Sequence, residues 1–141
     1  MADTEVLTDA VKVLFPANTR PQFGQVPPGT KLPWTLVMIS IPGASARRLD
    51  GRISTRRCVV RVRIAGANDT AVRRVWDNLS PYLERVRPVA EGWRTSPLIQ
   101  LGDDLQVYPD RDVLVDNQYP IVGAVDFEFM ATELPPPEET P

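Results

Sequence analysis

A chain of 141 residues that is 43% hydrophobic and 24% charged, with a net charge of −2, suits one globular domain with a core of its own. One cysteine and no histidine exclude an internal disulfide and the usual zinc ligand sets, and they remove the side chain most often used as a general base near neutral pH. No apolar run approaches the roughly 20 residues that span a bilayer, and the acidic opening from Met1 to Val6 lacks the pattern of a secretory signal, so synthesis in a cytoplasm is expected.

The first helix is expected from a cap at Asp3 or Thr4 to about Leu14. Val6, Leu7, Ala10, Val11, Leu14 and Phe15 recur at helical spacing, and Pro16 cannot continue the hydrogen bonding. Residues 16 to 33 hold Pro16, Pro21, Pro27, Pro28 and Pro33 with Gly24 and Gly29, and read as a loop. Trp34 to Ile41 reads as a mostly buried central strand ended by Pro42-Gly43. Residues 44 to 54 read as a hairpin-like connection with a tight turn at Asp50-Gly51, so Trp34 to Ile41 is expected to pair with Arg56 to Ala65.

That second strand alternates Cys58, Val60, Val62 and Ile64 with Arg57, Val59, Arg61 and Arg63, which places apolar groups on one face and guanidinium groups on the other. Asn68 or Asp69 then caps the main helix. Val72, Val75, Trp76, Leu79, Leu83 and Val86 form its stripe, it runs to about Val86, and Pro81 predicts a bend or restart near Ser80.

Trp93 to Leu101 and Asp104 to Tyr108 read as two short strands turning at Gly102-Asp103. Pro109 to Pro120 reads as a polar loop with a short strand at Val113 to Val115. Ile121 to Ala131 alternates Val125, Phe127 and Phe129 with Asp126 and Glu128, a second half-buried strand. The expected architecture is α+β: one small domain over residues 1–133, a mainly antiparallel sheet of about four to five strands with two helices packed on it, and an acidic, proline-rich tail over 134–141.

Charge is divided along the chain. Residues 44 to 94 hold twelve Arg against five Asp or Glu, and the remainder holds four basic and thirteen acidic residues. Such a division favours head-to-tail attraction between copies, or the approach of a polyanion to the middle of the chain. Arg61 and Arg63 have the paired donors that phosphates accept, but ion pairs with Asp126 and Glu128, within or between subunits, are the favoured reading. Arg47, Arg48, Arg52, Arg56 and Arg57 form a denser, loop-borne cluster and are the better candidate for DNA, a subunit seam or a ring lumen. Asp103, Asp104, Asp110, Asp112 and Asp116 invite a metal reading, yet their spacing fits no calcium loop, and loop solubility accounts for them. Cys58 reads as a small buried hydrophobe, Trp76 as core, and Trp34 and Trp93 as core or interface anchors. No catalytic motif and no cofactor site are read from these residues, which makes an enzyme the less favoured class.

The order of features resembles the tail terminator (tail completion) proteins of long-tailed bacteriophages. Those features are the amphipathic first helix, the loop leading to Pro33-Trp34-Thr35-Leu36-Val37-Met38-Ile39, and the Gly51-Arg52 turn into Cys58-Val59-Val60-Arg61-Val62. They continue with the helix from Ala71 to Leu83, the Pro109-Asp110 loop and the closing strand Val122 to Met130. The resemblance implies a non-catalytic α/β subunit that assembles into a hexameric ring in the neck of the virion. Its implied partners are further copies of itself, the major tail tube protein and a head-side connector or stopper, with DNA passing through the lumen and no membrane. The resemblance also admits another neck component, such as a head-tail stopper or a tube subunit. From other classes, a nucleic-acid-binding module using the Arg cluster and a carboxylate-dependent hydrolase using the Asp loop stand as alternatives.

Overall fold

Alternating apolar and charged residues build the two longest strands and set them side by side. β4 (Ile53–Gly66) and β7 (Ile121–Glu133) run antiparallel through twelve residue pairs, from Thr55 opposite Thr132 to Gly66 opposite Ile121. The computed structural model describes residues 4–27, 29–41, 44–47, 53–112 and 118–134. Within them the chain is an α+β domain with two α-helices, α1 (Thr4–Lys12) and α2 (Asp69–Leu83), on one mixed, mostly antiparallel sheet of seven strands.

The remaining strands are β1 (Pro21–Phe23), β2 (Trp34–Ser40), β3 (Ala44–Arg47), β5 (Trp93–Thr95) and β6 (Ile99–Pro109). β2 and β3 lie along one edge of β4, and β5 and β6 along the outer edge of β7. The expected pairing of the strand at Trp34 with that ending at Ala65 is present, with Trp34 opposite Ala65 and Ser40 opposite Val59.

Seven strands exceed the expected four to five: β1 lies in the segment read as loop and β3 in the segment read as a connection. β1 is only three residues long, and its parallel pairing with Thr35, Leu36 and Val37 is a long-range contact that its own sequence does not announce. β6 passes straight through Gly102-Asp103, which was expected to turn. Gly102 adopts φ +86°, and the register shifts from Leu101 opposite Asp126 to Gln106 opposite Ala124, so the extra residues form a bulge within one strand. The break falls instead between β5 and β6.

The helices also end earlier than expected. α1 stops at Lys12. α2 is capped by Asn68, whose side-chain oxygen accepts from the Ala71 N–H at 2.8 Å, runs without interruption through Pro81, and ends at Leu83 in place of Val86. Arg85 takes a left-handed φ of 60°, the conformation that closes a helix C-terminus, and its N–H turns to the Leu98 carbonyl at 2.9 Å. The turn at Asp50-Gly51, the strand at Val113 to Val115 and the tail beyond Leu134 lie outside the described residues.

One core forms between the helices and the inner face of the sheet. Leu7 and Val11 of α1 and Val72, Leu79 and Leu83 of α2 meet Val37, Cys58, Val60, Val62, Ile64, Val125, Phe127 and Phe129, all essentially inaccessible to water. Trp76 is only partly buried; its ring centroid lies 6.0 Å from that of Phe127. Phe127 is fully buried at the centre, where truncation to Ala would cost about 3–5 kcal/mol. No helix among the described residues is long and apolar enough to cross a membrane.

Candidate interaction face

Because side chains alternate along a strand, the residues between the core positions of β4 and β7 all point away from the helices. The registers arrange them in rows across β2, β4, β7 and β6. Trp34, Ala65, Val122 and Tyr108 form the first row, then Leu36, Arg63, Ala124 and Gln106, then Met38, Arg61, Asp126 and Leu101, then Ser40, Val59, Glu128 and Ile99. Trp34, Leu36, Met38 and Leu101 are half-buried, while Ile99 and Tyr108 are exposed by 51% and 44%. None of these apolar side chains joins the core cluster. The sheet therefore presents a second, apolar-rich face opposite the core, buried at Val59, Ala65 and Val122 and half-buried or exposed elsewhere.

Charges of both signs are set into this face. Arg63 Nη1 lies 2.8 Å from Asp126 Oδ1 and also donates to the Val62 carbonyl at 2.9 Å. Arg57 Nε lies 2.6 Å from Glu128 Oε2. Both pairs are diagonal, since Arg63 stands directly opposite Ala124 and Arg57 opposite Met130. Arg61 stands opposite Asp126, but that carboxylate is engaged by Arg63; Arg61 is exposed and makes no ion pair among the described residues.

Of the arginines grouped as one loop-borne cluster, two stand in a strand. Arg56 and Arg57 lie within β4, on opposite faces of the sheet, because adjacent strand residues must. Arg56 turns inward beside Cys58, and its Nε is buried without a hydrogen-bond partner among the described residues. Arg47 ends β3 opposite Ile53, and Arg48 and Arg52 lie outside the described residues. Of the nine candidate residues, the structure gathers Arg57, Arg61, Arg63, Asp126 and Glu128 on one face. Of the apolar residues that stand among them, Trp34 was read as a core or interface anchor, whereas Leu36, Met38 and Leu101 were legible only as strand positions.

Cys58 is fully buried, and burial pushes its thiol from about 9.0 up to about 11, against the pull of the Arg56 charge. The thiol is held protonated and unreactive. In the acidic loop, Asp110 Oδ1 accepts from the Asp112 N–H at 3.0 Å, which spends one carboxylate on the turn itself. No group of three His, Cys, Asp or Glu with metal-binding geometry occurs among the described residues. Among the described residues are two shallow depressions. One, of about 220 Å³, lies between Asn18, Arg20, Pro33 and Asn78, and the other, of about 230 Å³, between Arg87, Trp93, Arg94 and Leu134. Arginine is the only ionisable residue type lining either, so neither brings an acid and a base together.

No protein-family model matches the chain, and comparison with curated proteins finds no match.

Proposed function

We propose that the protein is a structural virion subunit that closes the head-proximal end of a long-tailed phage tail tube as a ring, stopping tube polymerisation and forming the joint to the head connector. The observation that carries this reading is the outer sheet face. Large apolar side chains outside the main core cluster, left half-buried or exposed and interleaved with charges of both signs, are what a subunit needs to bind specifically to other subunits. The order of elements supports the same reading, as does the segregation of twelve arginines into residues 44 to 94.

The reading is non-catalytic and needs no cofactor. It assigns Arg57, Arg61, Arg63, Asp126 and Glu128, with Trp34 and Met38, to contacts between copies. DNA in the lumen is a secondary partner: Arg57 and Arg63 are already engaged by carboxylates, which lowers their value as phosphate contacts. A head-tail stopper would draw on the same face. The test is to add the purified chain to polymerising tail tube protein and image the products. The expected result is tubes of limited length carrying a density at one end only. Unrestricted growth with no added density would rule the terminator reading out.

A further inference from the structure

We infer that the outer sheet face is the docking surface for the proline-rich acidic segment after Leu134 of a second copy of this chain, its prolines packing at Trp34 and its glutamates meeting Arg61. This deepens the ring reading, on which it rests, by naming what crosses the seam.

The segment reads Leu134-Pro135-Pro136-Pro137-Glu138-Glu139. Consecutive prolines cannot donate to a strand ladder; such segments dock as extended polyproline II on surfaces lined by aromatic side chains. The outer face offers one aromatic side chain for such docking at one end, half-buried Trp34, followed by apolar Leu36 and Met38 along β2. It also carries one exposed cation with no ion pair among the described residues, Arg61, in the same row as Met38.

The spacings agree. Four residues along β2, from Trp34 to Met38, cover about 13 Å, and four polyproline steps, from Pro135 to Glu139, cover about 12 Å. Pro135 on Trp34 therefore puts Glu139 at the row of Arg61, where opposite charge and apolar contact are satisfied together.

A chain cannot make this contact with its own segment. The Leu134 N–H is held by the Gly92 carbonyl at 2.9 Å, at the far end of β7. The row of Trp34 crosses β7 at Val122, twelve residues or about 40 Å from Leu134, and Pro135 adjoins Leu134. The docked segment must come from another molecule. The contact joins two different surfaces, so it repeats head-to-tail and closes when the rotation divides a full turn.

The experiment compares the full chain with Glu138→Arg/Glu139→Arg, with Arg61→Glu, and with the combined variant, by sedimentation over a concentration series. All three changes are on solvated side chains or outside the described fold. Each of the first two should weaken self-association roughly tenfold, and the combined variant should recover most of it. In parallel, a synthetic peptide of residues 134–141 is added to the full chain while the indole N–H signal of Trp34 is followed by NMR, identified by its loss in Trp34→Phe. The peptide should shift that signal in the parent chain and not in Arg61→Glu.

If the chain forms rings while the variants assemble normally and the peptide leaves Trp34 unmoved, the docking inference is overturned and the ring reading stands. If the chain stays monomeric but the peptide shifts Trp34, docking stands and the ring falls. If Arg61→Glu abolishes only affinity for duplex DNA, the occupant is a nucleic acid and the docking inference is overturned.

Discussion

Arg63 reaches past Ala124, its direct neighbour across the strands, to place Nη1 2.8 Å from Asp126 Oδ1. Both groups are only part-exposed, at 25% and 35%, and the guanidinium is held further by the Val62 carbonyl. The pair is thus better ordered than Arg57–Glu128, whose arginine is 49% exposed. Asp126→Ala should cost about 1 kcal/mol, and a double-mutant cycle with Arg63→Ala should give a coupling of about 0.5–1 kcal/mol, against a few tenths for the Arg57–Glu128 cycle. Denaturant titration of the four proteins of each cycle measures it, and equal couplings would contradict the ordering.

At Gly123 the sheet packs directly against Val72 of α2. A Cβ at this position would lie 2.6 Å from Val72 Cγ1 and 3.1 and 3.2 Å from the two Leu105 methyls. Val72 is β-branched on a helix, where one χ1 rotamer is strongly preferred, so it yields at a cost. Gly123→Ala should therefore destabilise by about 2 kcal/mol, in the range of overpacked cores. Adding Val72→Ala should cost less than the sum of the two single changes. Strict additivity in thermal or urea unfolding would mean that the two sites do not share this contact.

Cys58 makes a prediction about alkaline pH. Its folded pKa of about 11 lies above the ordinary value of 9.0, so the folded chain holds a proton that the unfolded chain releases in that window. Stability from this group is complete below pH 9 and is lost as pH rises through about 11, a loss of about 2–3 kcal/mol. The difference in unfolding free energy between the parent chain and Cys58→Ala should shrink over that interval. In the native state the thiol should resist an aromatic disulfide reagent at pH 8 and react at once on unfolding. Rapid native labelling would contradict its burial.

The two arginine-bearing and carboxylate-bearing strands were legible because a period of two, written in Val and Phe against Arg, Asp and Glu, has only one satisfactory geometry. The main helix was legible from its stripe and from Asn68. Register was not, and the diagonal character of both ion pairs follows from register alone. Arg56 and Arg57 were grouped as loop residues although their adjacency in a strand sends them to opposite faces, a parity the alternation from Cys58 onward already contained. Gly102-Asp103 and Pro21-Gln22-Phe23 misled for the opposite reason. Local turn chemistry was overridden by pairing with β7 and β2, contacts that no short window of sequence carries.

The central claim is that the outer face of the sheet joins copies of this chain into a closed ring. Native mass and two-dimensional class averages of the full chain, alone and with Arg61→Glu, test it most directly. The account predicts a single closed species of about six copies for the parent chain, giving way to smaller species in the variant. A parent chain that remains monomeric to the limit of its solubility, or an assembly indifferent to Arg61→Glu, would contradict it.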